Sequence, residues 1–401
     1  MGRRPVLEGV ETPRRASGLA GRLLSGPNLP GLAARIGARL ASRNGGPWRF
    51  QTTVVVAAHA HVREALSRDL DFAIAPVNAG RIADVDRSFV LGMDRHAVLA
   101  SERQALYRAL AAVDPGPIRA EALKLAGQLI DGAAELDAIG GYARLVAANT
   151  AHRLFGITGP GDEHLFREAV RSVFGHTFLN LSGDEQVRKR AIRAATLMQE
   201  WIGADIALRR KARDPGVDML GRLIASGDLD DEGIARTLAG MLVGSIDTTA
   251  SAVGKIVAMI GRDAALMDSM SKDCADLKTM RGWCLEALRR WPHNPILLRR
   301  ALRDTELGGK TVAAGDKIIL WTQAAMQDES AFPDAHIMRP DRPAEAYLHF
   351  GGALHSCAGR PVNDWQIPLL VAELLKRGIA SVGKIGWAGP FPDSLPVRLA
   401  P

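Results

Sequence analysis

The hydrophobic pattern along most of the chain is that of helices. From about Ser101 to Lys272, apolar residues recur at three- and four-residue spacing, which is the period of one face of an α-helix. Residues 228–263 begin with a group of acidic side chains and then run almost wholly apolar. Acidic residues favour a helix N-terminus. We therefore predict a long helix through the middle of a hydrophobic core.

Short β-type runs lie before and after this helical part. Residues 50–57 (FQTTVVVA) are β-branched and predict a strand, and residues 305–321 (TELGGKTVAAGDKIILW) place two turn signals between short β-type runs, as in a small hairpin sheet. A Pro-rich stretch without periodicity follows, then a Gly-rich segment and a last helix from about Val362 to Lys376. The predicted fold class is mainly α with a minor β portion.

Composition is that of an ordinary globular protein. Of 401 residues, 47% are hydrophobic and 24% charged, so the chain can build a core large enough to enclose a bulky cofactor. We expect a single domain over residues 48–401. Residues 1–47 are rich in Gly, Pro and Arg and are expected to form a loosely ordered N-terminal segment.

Charge and cysteine content exclude several classes of protein. Lys and Arg exceed Asp and Glu by 51 to 44, which is compatible with an acidic partner and equally with a merely basic surface. Basic runs interleaved with aromatic residues are missing, so nucleic-acid binding is not expected. Three scattered cysteines do not make a disulfide framework. We find no signal-peptide pattern and no uninterrupted apolar run long enough for a membrane span, and expect a soluble, cytoplasmic protein.

The segment HFGGALHSCAGR, residues 349–360, is the strongest chemical signal. It places Cys357 in a loop of small residues that leads into a helix. Glycines let a flat ligand approach the backbone closely, and free N–H groups near a helix N-terminus favour the thiolate. From the residues alone, Cys357 is either a reactive or metal-binding cysteine or a small hydrophobic side chain in a loop.

Two further patterns are ambiguous by themselves. Glu286 and Arg289 stand at i and i+3 and share one helix face, which is also what an ordinary surface ion pair does. Asp247 and Thr248 interrupt the long apolar helix within VGSIDTTAS. They are out of place there unless they face a cavity, although a polar edge facing solvent is the alternative.

In combination, these segments resemble the cytochrome P450 family. The cysteine loop is similar to the family's haem-binding pattern Phe-Gly-x-Gly-x-His/Arg-x-Cys-x-Gly, with Ala353 in place of the second glycine. The matching residues are Phe350, Gly351, His355, Cys357 and Gly359. The resemblance implies that Cys357 is the proximal thiolate ligand of haem b (iron protoporphyrin IX), that Phe350 packs beside the sulfur and that His355 pairs with a haem propionate.

The long helix resembles the family's distal helix, Ala-Gly-x-Asp/Glu-Thr-Thr. Gly244 and Ser245 stand in place of its alanine and glycine, and Asp247, Thr248 and Thr249 match. The resemblance implies that Asp247 and Thr248 relay protons to dioxygen.

Charged residues elsewhere also have family counterparts. Glu286 and Arg289 resemble the buried Glu-x-x-Arg pair, and Arg342 resembles the third member of that structural network. Arg299 falls on a propionate-binding arginine. Where the family has a His and an Arg for the other propionate, this chain has Arg103 and Tyr107, so the second position offers only a neutral hydrogen bond.

The resemblance implies a cytochrome P450 fold, a triangular helical domain with small β-sheets, and a monooxygenase acting on a hydrophobic small molecule with dioxygen. Electrons would come from an acidic ferredoxin or flavodoxin with its reductase, docking near Cys357, where Arg360 is a candidate contact. Two alternatives remain. A haem-thiolate hydroperoxide isomerase or peroxygenase is suggested by Ser245, Ala353 and Tyr107, and a non-catalytic haem-binding protein is also compatible.

Overall fold

The computed structural model describes residues 33–37, 39–40, 46–86, 89–180, 182–388 and 391–401. The predicted loosely ordered segment over 1–47 lies mostly outside these residues. The described chain divides into two compact units. One comprises Asn78–Leu125 and Arg144–Thr249, and the other comprises Ala126–Ala143, Ala250–Pro401 and the described residues up to Val77. The expectation of one domain over 48–401 stays a prediction.

Helices account for most of the described chain, as the periodicity predicts. In chain order they are α1 (His59–Ser67), α2 (Ala75–Asp86), α3 (Ala97–Ala111), α4 (Pro115–Ile130), α5 (Arg144–Phe155), α6 (Glu163–Phe174), α7 (Glu185–Ala212), α8 (Met219–Ser226), α9 (Asp231–Ile260), α10 (Ala264–Asp273), α11 (Leu277–Arg290), α12 (Thr322–Ala325) and α13 (Arg360–Arg377). The π-helical segments Ala138–Ala143 and Gly175–Leu179 adjoin α5 and α6.

Aspartate side chains fix where several helices begin. Asp162, Asp184, Asp263 and Asp276 each accept a hydrogen bond from a backbone N–H group in the first turn of α6, α7, α10 and α11, respectively. An N-cap of this kind satisfies donors that have no partner within the helix and stabilises it by about 1 kcal/mol. These boundaries are therefore encoded locally in the sequence.

The predicted long helix is α9. It starts at Asp231, within the acidic group, and runs for 30 residues. By length and composition alone it is also the one helix among the described residues apolar enough to cross a membrane, but 78% of its most apolar window is buried inside the protein. The helix therefore faces the apolar interior of the protein.

All described strands belong to the second unit. They are β1 (Trp48–Phe50), β2 (Thr53–Val56), β3 (Phe72–Ala73), β4 (Glu135–Asp137), β5 (Leu297–Ala301), β6 (Thr305–Leu307), β7 (Lys310–Val312), β8 (Lys317–Leu320), β9 (Ile379–Val382), β10 (Gly386–Ala388), β11 (Phe391–Ser394) and β12 (Pro396–Leu399). The largest sheet has the order β1-β2-β8-β5-β3, and a second has the order β4-β12-β9.

Two of the strand predictions are only partly correct. Residues 50–57 do not form one strand, because Gln51 adopts a positive φ of 52° and the chain turns between β1 and β2. Residues 305–321 contain the predicted hairpin, β6–β7, but their last run is β8, which pairs in parallel with β2 and antiparallel with β5. The position of β8 depends on pairing between segments far apart in the chain, which a local pattern does not encode.

The core of the second unit lies under the largest sheet. Alternate residues of β2 and β8 point inward, so that Val54, Val56, Ile318 and Leu320 are at most 2% exposed, as the two-residue period of a strand requires. They pack with Phe332, Tyr347 and Leu348 from the segment before the cysteine loop. The sheet thereby supports the loop that carries Cys357.

Candidate functional site

The cysteine loop is held by its own backbone. The N–H of Cys357 donates to the carbonyl oxygen of Phe350 over 2.9 Å, which closes the loop into a tight turn. Gly351 has a φ of 68° and Ala353 a φ of 50°. Both lie in the left-handed region, which glycine adopts freely and alanine only at a cost. The loop thus keeps the glycine conformation at Ala353.

The sulfur of Cys357 lies at the start of α13 and accepts hydrogen bonds from the N–H groups of Gly359 and Arg360. Burial raises the pKa of the thiol, and these two donors and the charge of Arg360 oppose that rise. The residue is surrounded by protein but still partly exposed, as a group lining a concavity is. Such a sulfur, with donors already aimed at it, is suited to bind one metal ion as thiolate.

Beside the loop, a fully buried ion-pair network confirms the predicted association of three charged residues. Arg289 donates to both carboxylate oxygens of Glu286, over 2.8 and 2.9 Å, and both side chains are fully buried. Arg342 lies 3.4 Å from the same carboxylate. Further donors of Arg289 bond to the carbonyl oxygens of Met326 and Ala335. A buried cluster of charges is stable only when connected in this way, and this one fastens the segment before the loop.

Tyr347 completes this network and was not identified from the sequence. Its hydroxyl donates to Glu286 over 2.8 Å, and burial together with that carboxylate raises the pKa of Tyr347, which keeps it a donor. The residue follows the Pro-rich stretch without any periodic pattern, so only the tertiary fold shows its contact.

Helix α9 has one accessible face. Between Gly233 and Ala258 every residue is buried except Arg236, Gly240, Gly244, Ser245 and Thr248. Their spacing of about four places them along one side of the helix. A Cβ atom added to Gly244 would meet nothing within 4 Å. We call this accessible stretch, Gly244–Thr248, the groove; that Thr248 faces a cavity rather than solvent stays a prediction.

Asp247 and Thr248 have different surroundings. Asp247 is buried and accepts a hydrogen bond from Nε of Arg144 over 3.0 Å. Thr248 donates its hydroxyl hydrogen to the carbonyl oxygen of Gly244 over 2.6 Å. That hydroxyl can therefore only accept a hydrogen bond from a molecule in the groove. Arg144 follows a π-helical segment and carries no motif in the sequence, which is why the sequence did not indicate it.

The predicted propionate partners lie in both units. In the second unit, Arg299 on β5 is 5% exposed and donates to the carbonyl oxygen of Leu298, while His355 lies in the short turn of the cysteine loop. In the first unit, the guanidinium of Arg103 stacks 4.5 Å over the ring of Tyr107 on α3. Tyr107, which stands where the family pattern has an arginine, thus makes a cation–π contact with Arg103.

His349 is a second residue that the sequence did not single out. Its ring lies between those of Tyr347 and Phe350, with centroids 5.3 Å from each. Neither ring nitrogen has a hydrogen-bond partner within the described ranges, and burial, reinforced by nearby arginines, lowers the pKa of His349 to about 3. The side chain is therefore neutral and packs as part of an aromatic column next to the loop.

Comparison with known proteins agrees with this geometry. The family model for "Cytochrome P450" matches residues 181–377, which include the accessible face of α9, the Glu286–Arg289 pair and Cys357. The chain belongs to the cytochrome P450 family. Chondromyces apiculatus provides a solved cytochrome P450 that superposes with a TM-score of 0.75 over 94% of this chain and 97% of its own, at 18% identity. The P450 fold is thereby confirmed.

Curated relatives of this P450 come from bacteria. Nocardicin C N-oxygenase of Nocardia uniformis is 27% identical over 263 residues, 63% of this chain and 62% of the relative. Mycinamicin IV hydroxylase/epoxidase of Micromonospora griseorubida is 24% identical over 69% of this chain and 68% of its own. The match thus spans somewhat less than two thirds of the first relative's length.

The cofactor of the family is haem b, bound through a cysteine thiolate. Within the second unit, the residues present fit it. Cys357 offers a partly exposed sulfur with two N–H donors, as thiolate ligation requires. The loop carries small residues on either side of it, including Gly351, Gly352 and Gly359.

Proposed function

We propose that this P450 is a haem-thiolate monooxygenase that oxidises a hydrophobic small molecule. The observation that carries the proposal is the sulfur of Cys357, partly exposed and held by the N–H groups of Gly359 and Arg360. Haem bound at that sulfur activates dioxygen so that, with two electrons and two protons, one oxygen atom enters the substrate and the other leaves as water.

Four other residues are proposed to hold the cofactor's carboxylates. Arg299 and His355 would do so from the second unit, and Arg103 and Tyr107 from the first. Arginine forms charge-assisted hydrogen bonds to carboxylate, whereas tyrosine offers a weaker neutral one. Phe350 is proposed to pack beside the sulfur. These roles rest on the residues' match to the family pattern.

Thr248 and Asp247 are proposed to handle the protons. Because the Thr248 hydroxyl already donates to Gly244, its oxygen would accept a hydrogen bond from a water molecule in the groove and so hold that water in place to pass on a proton. Asp247, on the same helix, is the acid that would supply that proton, and its carboxylate is held by Arg144. Proton transfer then requires Asp247 to exchange partners.

The substrate is proposed to be hydrophobic because the walls available to it are. On α9 the accessible Gly244 and Ser245 are small, and in the second unit Ile296, just before β5, and Leu297, its first residue, keep exposed surface. Relatives are named for hydroxylation or epoxidation of mycinamicin IV, 8-monooxygenation of linalool and N-oxygenation of nocardicin C. We infer an uncharged or weakly polar organic substrate.

An acidic ferredoxin or flavodoxin, with its reductase, is proposed to supply electrons. Arg360, at the start of α13, has a side chain 41% exposed, a long contact of 3.9 Å with Asp364 and a cation–π contact with the Phe350 ring at 5.8 Å. The chain's net charge of +7 favours an acidic partner by long-range attraction. A cytoplasmic location and a single domain over residues 48–401 belong to the same proposal.

Carbon monoxide difference spectroscopy tests the proposal directly. The purified, haem-loaded and reduced protein should give the strongly red-shifted Soret band of a thiolate-ligated carbonyl complex. Cys357→Ala should abolish that band, whereas Cys274→Ala, which removes a partly exposed cysteine elsewhere, should leave it. A colourless protein after haem is supplied, or a red-shifted band that survives Cys357→Ala, would refute the assignment.

Turnover separates the monooxygenase from its alternatives. Product formation with dioxygen and a reductase system is expected. Turnover of a lipid hydroperoxide alone would instead identify an isomerase or peroxygenase. The presence of both Asp247 and Thr248 supports the monooxygenase, because an enzyme that receives reduced oxygen has no need of a proton relay.

A further inference from the structure

The accessible face of α9 does not end at the groove. Arg236 and Gly240 continue it toward the helix N-terminus, one turn apart, beyond Gly244. Phe89, Glu102 and Glu232, which contact this continuation, belong to the first unit. The helix therefore carries two accessible stretches on the same side.

Phe89 closes the groove between those stretches. A Cβ atom at Gly240 would lie 2.5–2.7 Å from three carbon atoms of the Phe89 ring, closer than carbon atoms can approach. The ring is 6% exposed. Glycine at position 240 is thus what allows the ring to lie against the helix, and Phe89 forms the end wall of the groove.

A buried carboxyl group lies near Arg236, beyond the wall. Asp86, the last residue of α2, is only 6% exposed. One carboxyl oxygen accepts a hydrogen bond from Gln199 of α7 over 3.3 Å, and the other has no partner among the described residues. Burial raises the pKa of Asp86 well above its usual range; Arg236 acts against this and Glu102 with it. This rise favours the protonated form of Asp86, which can donate a hydrogen bond.

Arg236 has a donor without a partner in the same region. Its terminal nitrogens donate to Glu232 over 3.0 Å and Glu102 over 2.5 Å, but its buried Nε–H finds no acceptor in the part of the chain that the structure describes. A buried polar group left without a hydrogen bond costs about 1–3 kcal/mol. Asp86 and Arg236 thus present two unsatisfied donors behind Phe89, and both require an acceptor.

We infer that Asp86 and Arg236 form a polar end site for a neutral acceptor oxygen, such as a carbonyl or ester, on a long apolar substrate, with Phe89 as the movable wall in front of it. An anionic group is disfavoured because Glu102 and Glu232 already neutralise Arg236. Twelve residues separate Arg236 from Thr248, about 18 Å along a helix. The ligand is therefore elongated, with its polar end far from the site of oxidation.

The inference rests on the proposed function, because the ligand must reach the haem. Imidazoles that bind the iron provide probes whose affinity is read from the Soret shift, without turnover. We would compare butylimidazole, a long-chain alkyl imidazole and a long imidazolyl-alkanoic acid methyl ester of the same length, in the haem-loaded protein.

Removing the wall should favour the long ester. Phe89→Ala is expected to lower the Kd of the long ester at least about tenfold, the equivalent of one good hydrogen bond, and to leave that of butylimidazole unchanged. Phe89→Leu is the milder variant if Phe89→Ala does not fold. In either Phe89 variant, Asp86→Leu should abolish the preference for the ester over the alkyl imidazole. Gly240→Ala should destabilise either Phe89 variant less than it destabilises the wild type.

Each failure has a distinct meaning. If no imidazole shifts the Soret band, the haem assignment is wrong. If butylimidazole binds normally but the long ester and the alkyl imidazole bind equally in Phe89→Ala, the two donors serve only internal water, and the polar end site is overturned.

Discussion

Replacing Ala353 with glycine should stabilise the protein. Ala353 stands where the family pattern has glycine and adopts a φ of 50°. In this left-handed region the alanine Cβ crowds the following carbonyl oxygen, which costs about 1–2 kcal/mol. Glycine lacks that atom and can hold the same backbone without the clash.

The expected gain is the strain relieved, less the entropy that glycine adds to the unfolded chain. That entropy costs about 0.4–1 kcal/mol. The difference predicts that Ala353→Gly raises the free energy of unfolding by about 0.5–1 kcal/mol, or no more than about 4 °C in Tm for a chain of this size.

Thermal unfolding of the two matched Ala→Gly variants tests the reasoning. Ala204 lies exposed within α7, where Ala→Gly should cost about 1 kcal/mol. The two substitutions should therefore change Tm in opposite directions. If Ala353→Gly lowers Tm as much as Ala204→Gly does, the loop is not strained at Ala353.

Three further predictions concern the relay, the buried network and a buried lysine. Thr248→Ala should retain the thiolate spectrum but divert electrons to peroxide, so that less product forms per NADPH consumed. Thr249→Ala, which loses an equivalent hydroxyl on a buried side of α9, should form as much product per NADPH as the wild type. Equal product per NADPH in both variants would remove Thr248 from the relay. Arg289→Met should lower the free energy of unfolding by about 3–5 kcal/mol because it leaves the buried carboxylate of Glu286 without its ion-pair partner. Arg339→Met, in an exposed ion pair, should lower it by less than about 1 kcal/mol, and similar losses in the two variants would contradict the prediction. Burial lowers the pKa of Lys255 from 10.5 to about 7. Between these values the unfolded chain binds the extra proton, so the free energy of unfolding should rise with pH there, by on the order of 5 kcal/mol. A Lys255→Met variant should lack this rise in denaturant titrations, and an identical pH profile would show that another group causes it.

Local pattern was sufficient for the features that depend on neighbours in sequence. Helix α9 was predicted from its acidic start and apolar length, and the Asp caps and the β6–β7 turn are of the same kind. The cysteine loop and the Glu286–Arg289 spacing were readable because their chemistry needs fixed residue types at fixed separations. Even Ala353, a departure from the pattern, keeps the conformation that the pattern implies.

Only the tertiary structure showed what lies opposite these residues. Tyr347 on Glu286 and Arg144 on Asp247 are contacts between segments far apart in the chain, and no local signal marks them. The pairing of β8 with β2, the ring of Phe89 on Gly240 and the unsatisfied Asp86 are of the same kind. A periodic pattern states which face of an element is buried, but not which residue covers it, because that depends on how distant segments pack.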